Sequence, residues 1–211
     1  MIWFTSDTHY GHKNICRGVS EWSKDPNNLD RSTRDFDTIE DMNKSIVFSI
    51  NTCVAEDDIL YHLGDWSFGG IQNIYEFRRQ INCHNIHLIY GNHDTHIRKN
   101  TPLQLNSPYG PQEYFSSCQD ALELHSEGHI FMLSHYSHRV WKGSHRGFIH
   151  LYGHSHGTLE DKPLGKSMDV GIDNAFKLLG EYRPFSIIEI INIMDKREIV
   201  FNDGHTKNTN V

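Results

Sequence analysis

Positive charge is in short supply in this chain: 20 Lys and Arg stand against 27 Asp and Glu, a formal net charge of −7. Long duplex nucleic acid is therefore not an expected partner, because binding its backbone takes clustered cations. Cysteine is sparse as well. Cys16, Cys53, Cys83 and Cys118 form no C-x-x-C pair and no tight framework, which argues against a disulfide scaffold and suits reduced thiols in cytoplasm. No apolar run approaches the roughly 20 residues of a membrane helix, so no membrane partner is expected. The opening run Met1–Thr5 is too short and too soon followed by charge to be a secretion signal, and a cytoplasmic location is expected. Internal repeats and domain linkers are missing too, so residues 1–211 are read as one domain.

What is abundant is histidine, with 16 residues. His84, His87, His125, His129 and His205 read as ordinary scattered surface positions. Five of the others, His9, His93, His135, His154 and His156, fall into short polar clusters, and it is their placement that matters. Hydrophobic residues make up 37% and charged residues 22%, the balance of an ordinary globular protein.

Apolar periodicity divides the chain into two halves. Ile2–Ser6, 59–63 and 86–90 read as buried strands. Between them, Ile39, Met42, Ile46, Ile50 and Val54 recur at helical spacing, as do Ile71, Ile74, Phe77 and Ile81. Asp37 with Glu40 suggests a capping box at the first helix. This strand–helix alternation predicts a parallel α/β layer. Residues 18–36, with Asp25-Pro26-Asn27-Asn28, and 101–117, with Pro102, Pro108 and Pro111, read as loops. The second half is richer in strands, expected at 121–125, 129–133, 148–152 and 167–172, with 185–194 and 198–201 closing as a hairpin. Two sheets packed face to face with helices outside are the expected architecture.

Five polar clusters end or follow these strands: Asp7-Thr8-His9, Gly64-Asp65, Gly91-Asn92-His93-Asp94, Ser134-His135 and Gly153-His154-Ser155-His156. Each is commonplace by itself. An Asp-x-His, a Gly-Asp turn or a lone histidine is usually structural. Five of them at strand ends are another matter, since ligands bind beyond the carboxyl ends of the strands in open α/β sheets.

In this order the clusters resemble the calcineurin-like metallophosphoesterase superfamily. The opening Phe4-Thr5-Ser6-Asp7-Thr8-His9-Tyr10-Gly11-His12 looks closest to a small bacterial and phage branch. The resemblance implies a four-layered α/β/β/α sandwich and two divalent metal ions. Asp7, His9, Asp65 and His156 would hold the first ion; Asp65, Asn92, His135 and His154 would hold the second, with Asp65 bridging. Mn²⁺ is the favoured metal, with Fe²⁺, Ni²⁺ or Zn²⁺ compatible with the same donors. The implied chemistry is phosphoester hydrolysis by a metal-activated hydroxide, with Asp65 and His93 as the catalytic residues. His93 would be the general acid, a task suited to imidazole as a class.

The second cluster departs from the protein Ser/Thr phosphatases, which read Gly-Asp-x-x-Asp-Arg-Gly. Here Gly64-Asp65-Trp66-Ser67-Phe68-Gly69-Gly70 lacks both the second aspartate and the arginine. This points towards a phosphodiesterase on a small nucleotide-like substrate. Alternatives are a small-molecule phosphomonoesterase, a nuclease on short single strands, and a non-catalytic metal-binding scaffold. A zinc β-lactamase-type site would need His-x-His-x-Asp-His, which is absent. Candidate substrate-binding residues are His12, Asn14 and Arg17 after the first cluster and Arg139 in the segment 138–146. In that segment Lys142 and Arg146 could also meet phosphate, and Trp141 could stack on a base.

Overall fold

The computed structural model describes residues 1–22, 33–104, 114–201 and Gly204. The Asp25–Asn28 turn, Pro108, Pro111 and His205 lie outside the described residues. Strand β1 (Ile2–Thr5) pairs in parallel with β2 (Ile59–His62), β2 with β3 (Asn85–Ile89), and β3 with β4 (Ser117–Gln119). The short strand β9 (Phe185–Ser186) closes the other edge antiparallel to β1. The second sheet has the order β5 (Ala121–Ser126), β6 (His129–Ser134), β7 (Ile149–Tyr152), β8 (Ser167–Asp169), antiparallel at its first pair and parallel thereafter. The protein is thus α/β, with two mixed sheets flanked by helices.

Alternation along the strands builds two cores. Leu60, Ile86 and Leu88 point to one face of the first sheet. There they meet Met42, Ile46 and Ile50 of α1 (Ile39–Cys53) and Ile74 and Phe77 of α2 (Ile71–Gln80). Phe4, Tyr61 and Ile89 point to the other face and pack against Phe131, Leu133, Ile149 and Leu151 of the second sheet. The Phe4 and Phe131 ring centroids are 5.7 Å apart. Burying large side chains on both faces leaves the first sheet no solvated side, the usual condition of a parallel sheet.

Several sequence expectations are corrected. The closing hairpin is not formed: after Ser186 the chain turns into helix α5 (Ile187–Met194), and 198–201 is not a strand. The Ile-rich run gave no period of its own, but Ser186 and Glu189 form a reciprocal capping box that starts a helix there. The strand expected over 167–172 stops at Asp169, whose carboxylate accepts the Gly171 N–H, and α4 (Ile172–Leu179) follows. Helix α3 (Thr95–Gln104) runs through Pro102, where a loop was expected. At α1 the cap is Thr38, accepting from Asp41 N–H, rather than an Asp37–Glu40 box. Among the described residues no helix is long and apolar enough to cross a membrane.

Candidate metal centre

Five strand ends deliver the polar clusters to one place. Asp7 and His9 follow β1, Asp65 follows β2, Asn92 follows β3, His135 follows β6, and His154 and His156 follow β7. Backbone hydrogen bonds stitch these ends together: Asp7 N–H donates to Gly64 O at 2.9 Å, His9 N–H to Asp65 O at 3.0 Å, and Gly153 N–H to His135 O at 2.9 Å. The glycines permit this crowding. A Cβ at Gly91 would collide with the Asp65 carboxylate, and one at Gly153 with Ser6 and the Asp7 carboxylate.

Two trios of donors result. In Asp7, His9 and His156, and again in Asp65, His135 and His154, one donor atom from each residue lies within 4.8 Å of the others. Asp65 joins the trios. Its Oδ1 accepts the His93 backbone N–H at 2.9 Å, which leaves Oδ2 facing both sides. That oxygen is 3.5 Å from His9 Nε2 and 3.6 Å from His135 Nε2. A single oxygen therefore occupies the position between the trios, rather than one oxygen serving each. Asn92 adjoins the second trio, its Oδ1 lying 3.0 Å from both His135 Nε2 and His154 Nδ1.

The chemistry of these donors fits cations. His135 Nδ1 lies 2.8 Å from the Leu63 carbonyl; donating its proton there leaves Nε2 as a lone pair. That lone pair and the Asn92 carbonyl oxygen then face each other at 3.0 Å, an arrangement that a cation between them would stabilise. Protonation is a poor remedy, because burial lowers the His135 pKa, against the opposing charge of Asp65. Burial also raises the Asp7 carboxyl well above its ordinary value and pushes the His9 imidazole well below its own. A divalent ion would oppose the effect of burial on Asp7 and favour its carboxylate form. His9 Nδ1 is buried with no hydrogen-bond partner.

A surrounding layer fixes the donors in place. His156 Nδ1 bonds Asp173 Oδ2 at 2.6 Å, turning Nε2 inward. Burial alone would lower the His156 pKa, but the hydrogen bond and charge of Asp173 outweigh it and bring the group to about 9. The buried Arg34 binds both oxygens of Asp173 at 2.9 Å and also donates to the main-chain carbonyls of Asp7 and Thr8. Against the pull of burial, Arg34 and His156 hold the Asp173 carboxyl far below the usual carboxylate range. Asp169 accepts from Ser155 Oγ and from the Gly157 and Gly171 N–H groups. Asp94 accepts from the Asp65, Trp66 and Gly91 N–H groups and so clamps the second cluster to the third. Burial lifts its carboxyl to about 6 even so. Asp94 was visible in its motif but had no role there. Arg34, Asp169 and Asp173 carry no motif, and only the isolated position of Asp169-Val170-Gly171 after a strand hints at a turn.

Asp173→Asn is expected to weaken Mn²⁺ binding about 10- to 100-fold, the usual effect of removing a carboxylate behind a ligand histidine. It should also lower the melting temperature of the metal-free protein, because Arg34 loses its counter-charge. Calorimetric titration with Mn²⁺ and a thermal melt check both; unchanged affinity would discard the supporting role.

A cavity of about 420 Å³ opens over the trios, lined by His12, Asn92, His93 and His154 among others. His93 is exposed, and among the described residues no carboxylate pairs with its ring. Its ring meets Phe68, centroids 5.3 Å apart, at the position of the missing aspartate, and it also contacts His9 and His12. His12 is buried, which lowers its pKa to about 4, and its Nδ1 has no partner. Of the other substrate candidates, Asn14 lies outside the lining and accepts the Glu21 N–H with its side chain. Arg17 is exposed and paired with Asp35 at 2.9 Å. Arg139 is exposed on its segment and is not part of the cavity lining. Lys142 pairs with Glu123. Trp141 is buried and donates its indole N–H to Phe148 O at 2.8 Å, so it packs the second sheet instead of stacking on a base.

No family model matches the chain. An uncharacterized protein of Methanocaldococcus jannaschii is 26% identical over 206 residues, covering 94% of each chain. Among solved structures, a protein of unknown function from Aquifex aeolicus is similar with a TM-score of 0.62 and 22% identity. That match covers 92% of this chain and 98% of the other, a likeness of fold. An archaeal phosphodiesterase is similar at a TM-score of 0.40 and 20% identity over 81% of this chain and 82% of its own. That likeness is too loose to transfer an activity.

Proposed function

We propose that the protein is a calcineurin-like metallophosphoesterase that hydrolyses a phosphodiester of a small, nucleotide-like molecule. The observation that carries this reading is Asp65 Oδ2, placed between His9 Nε2 and His135 Nε2 at nearly equal distances. An anionic oxygen shared by two His- and Asp-lined trios suits a pair of divalent ions, with Mn²⁺ favoured among them. Such ions, when bound, supply charge that offsets the phosphoryl oxygens and lower the pKa of water.

The remaining work falls to the chain itself. Asp7, His9 and His156 hold one side of the centre; Asn92, His135 and His154 hold the other. Asn92 contributes a neutral donor, which leaves the net charge more favourable for an anionic substrate. His93, at the edge of the cavity, donates a proton to the leaving-group oxygen as the P–O bond breaks, so that it departs as an alcohol. The aspartate and arginine of the protein phosphatases are replaced by Phe68 and Gly69. An apolar ring at that position favours a diester, which carries less charge than a monoester and a second organic group to be packed.

The test is hydrolysis of bis(p-nitrophenyl) phosphate against p-nitrophenyl phosphate, with Mn²⁺ added and then removed by chelation. Chelator-sensitive cleavage of the diester at least about tenfold faster is expected, worth about 1.4 kcal/mol in transition-state preference. Preference for the monoester would replace the diesterase reading by a phosphatase one.

A further inference from the structure

The cavity over the metal centre has a second end. Besides imidazole and amide groups, its lining includes Ile15, Trp22 and Thr158, with Trp22 next to His12. The His12 and Trp22 rings stand 5.6 Å apart, tilted by 58°, as the two sides of an open V. Phe68 backs His12 from the adjoining cavity, ring centroids 4.1 Å apart. Two flat side chains, His12 and Trp22, thus share the lining of the cavity with the His and Asp donors of the trios.

The wall is held in place. Asn14 accepts the Glu21 N–H through its side chain and Ser20 Oγ through its carbonyl, and Ser20 Oγ in turn accepts the Trp22 N–H at 3.1 Å. Phe68 donates its N–H to Tyr10 O at 2.8 Å, and its carbonyl accepts from Asn73. Rings fixed before the ligand arrives lose little rotamer freedom on binding, so more of the stacking energy is realised.

We propose that Trp22, with Ile15 and His12, forms a base-stacking subsite, and that it is the nucleobase of the substrate that this end of the cavity accepts. The proposal rests on the phosphoester reading of the adjoining centre. It assigns to Trp22 the stacking role that the buried Trp141 cannot play, and to Asn14 a positioning role behind it. Stacking is tolerant of which base is offered, because every base has a π-face, so purines and pyrimidines should both bind.

The Mn²⁺-loaded protein is titrated by calorimetry with adenosine 5′-monophosphate and with ribose 5-phosphate, which share the phosphate and the sugar. Adenosine monophosphate should bind about tenfold tighter or more. Trp22→Ala should abolish that ratio, and Trp22→Phe should keep most of it. If Trp22→Ala fails to fold, as judged by circular dichroism, Asn14→Ala should reduce the same ratio by loosening the wall. Equal affinities in the wild type, or a ratio unchanged in a folded Trp22→Ala, would overturn the subsite. Turnover of bis(p-nitrophenyl) phosphate is read in parallel. A base preference in a protein that cleaves no ester keeps the subsite and overturns the hydrolytic reading; turnover without the preference does the reverse.

Discussion

Asp65→Asn is expected to abolish both bound metal and phosphodiester turnover, with a rate loss on the order of a thousandfold or more. The two carboxylate oxygens have different tasks, and an amide can take over only one. If the amide oxygen replaces Oδ1, it still accepts the His93 N–H. The NH₂ group then points at His9 and His135, where an anionic oxygen stood. In the opposite orientation the NH₂ confronts the His93 N–H and only a neutral oxygen faces the trios. Either arrangement removes the negative charge that offsets repulsion between two cations. Metal content by inductively coupled plasma analysis and diesterase rate should fall together. A variant that retained both would refute the bridging role of Asp65.

His93→Ala is expected to separate the two readouts. No donor atom of its imidazole belongs to either trio, so metal content should stay at the wild-type level. Turnover should drop by about 10²–10⁴-fold for diesters with alkyl leaving groups, the usual contribution of a general acid. The loss should be far smaller for p-nitrophenyl esters, because p-nitrophenolate leaves without needing a proton. The ring is positioned by packing among Phe68, His9 and His12 rather than by a carboxylate. A leaving-group series in wild type and variant reads the effect as a slope. Parallel slopes would discard the proton-donor assignment.

Much of the fold was legible because its signals are local. The Met42–Ile46–Ile50 stripe made α1, and the apolar runs stopped by Gly64, Gly91 and Gly153 located the ends of β2, β3 and β7. The candidate donors stood out in the sequence for the same reason, since each lies within a few residues of a strand end. What escaped was information held across the chain. Arg34 and Asp173 are 139 residues apart, and neither stands in a motif. Trp22 belongs to a polar stretch with no periodicity. The α5 run Ile187–Met194 is apolar on every side near its start, so strand and helix periods could not be told apart there; the Ser186-x-x-Glu189 signature was the available clue.

Six non-glycine residues among those described adopt positive φ: Asp7, His9, Asp65, Glu127, His154 and His156. Five of the six are candidate metal donors. A left-handed backbone costs a side-chain-bearing residue about 1–3 kcal/mol when the surroundings enforce it, and glycine avoids that penalty. Selection on folding alone would thus press each of these positions towards glycine, and a lineage released from the need for the centre should shed its donors there early and gain stability as it did so. The main chain thus carries the cost of the proposed centre: the sequence keeps side chains where the backbone would be more comfortable without them.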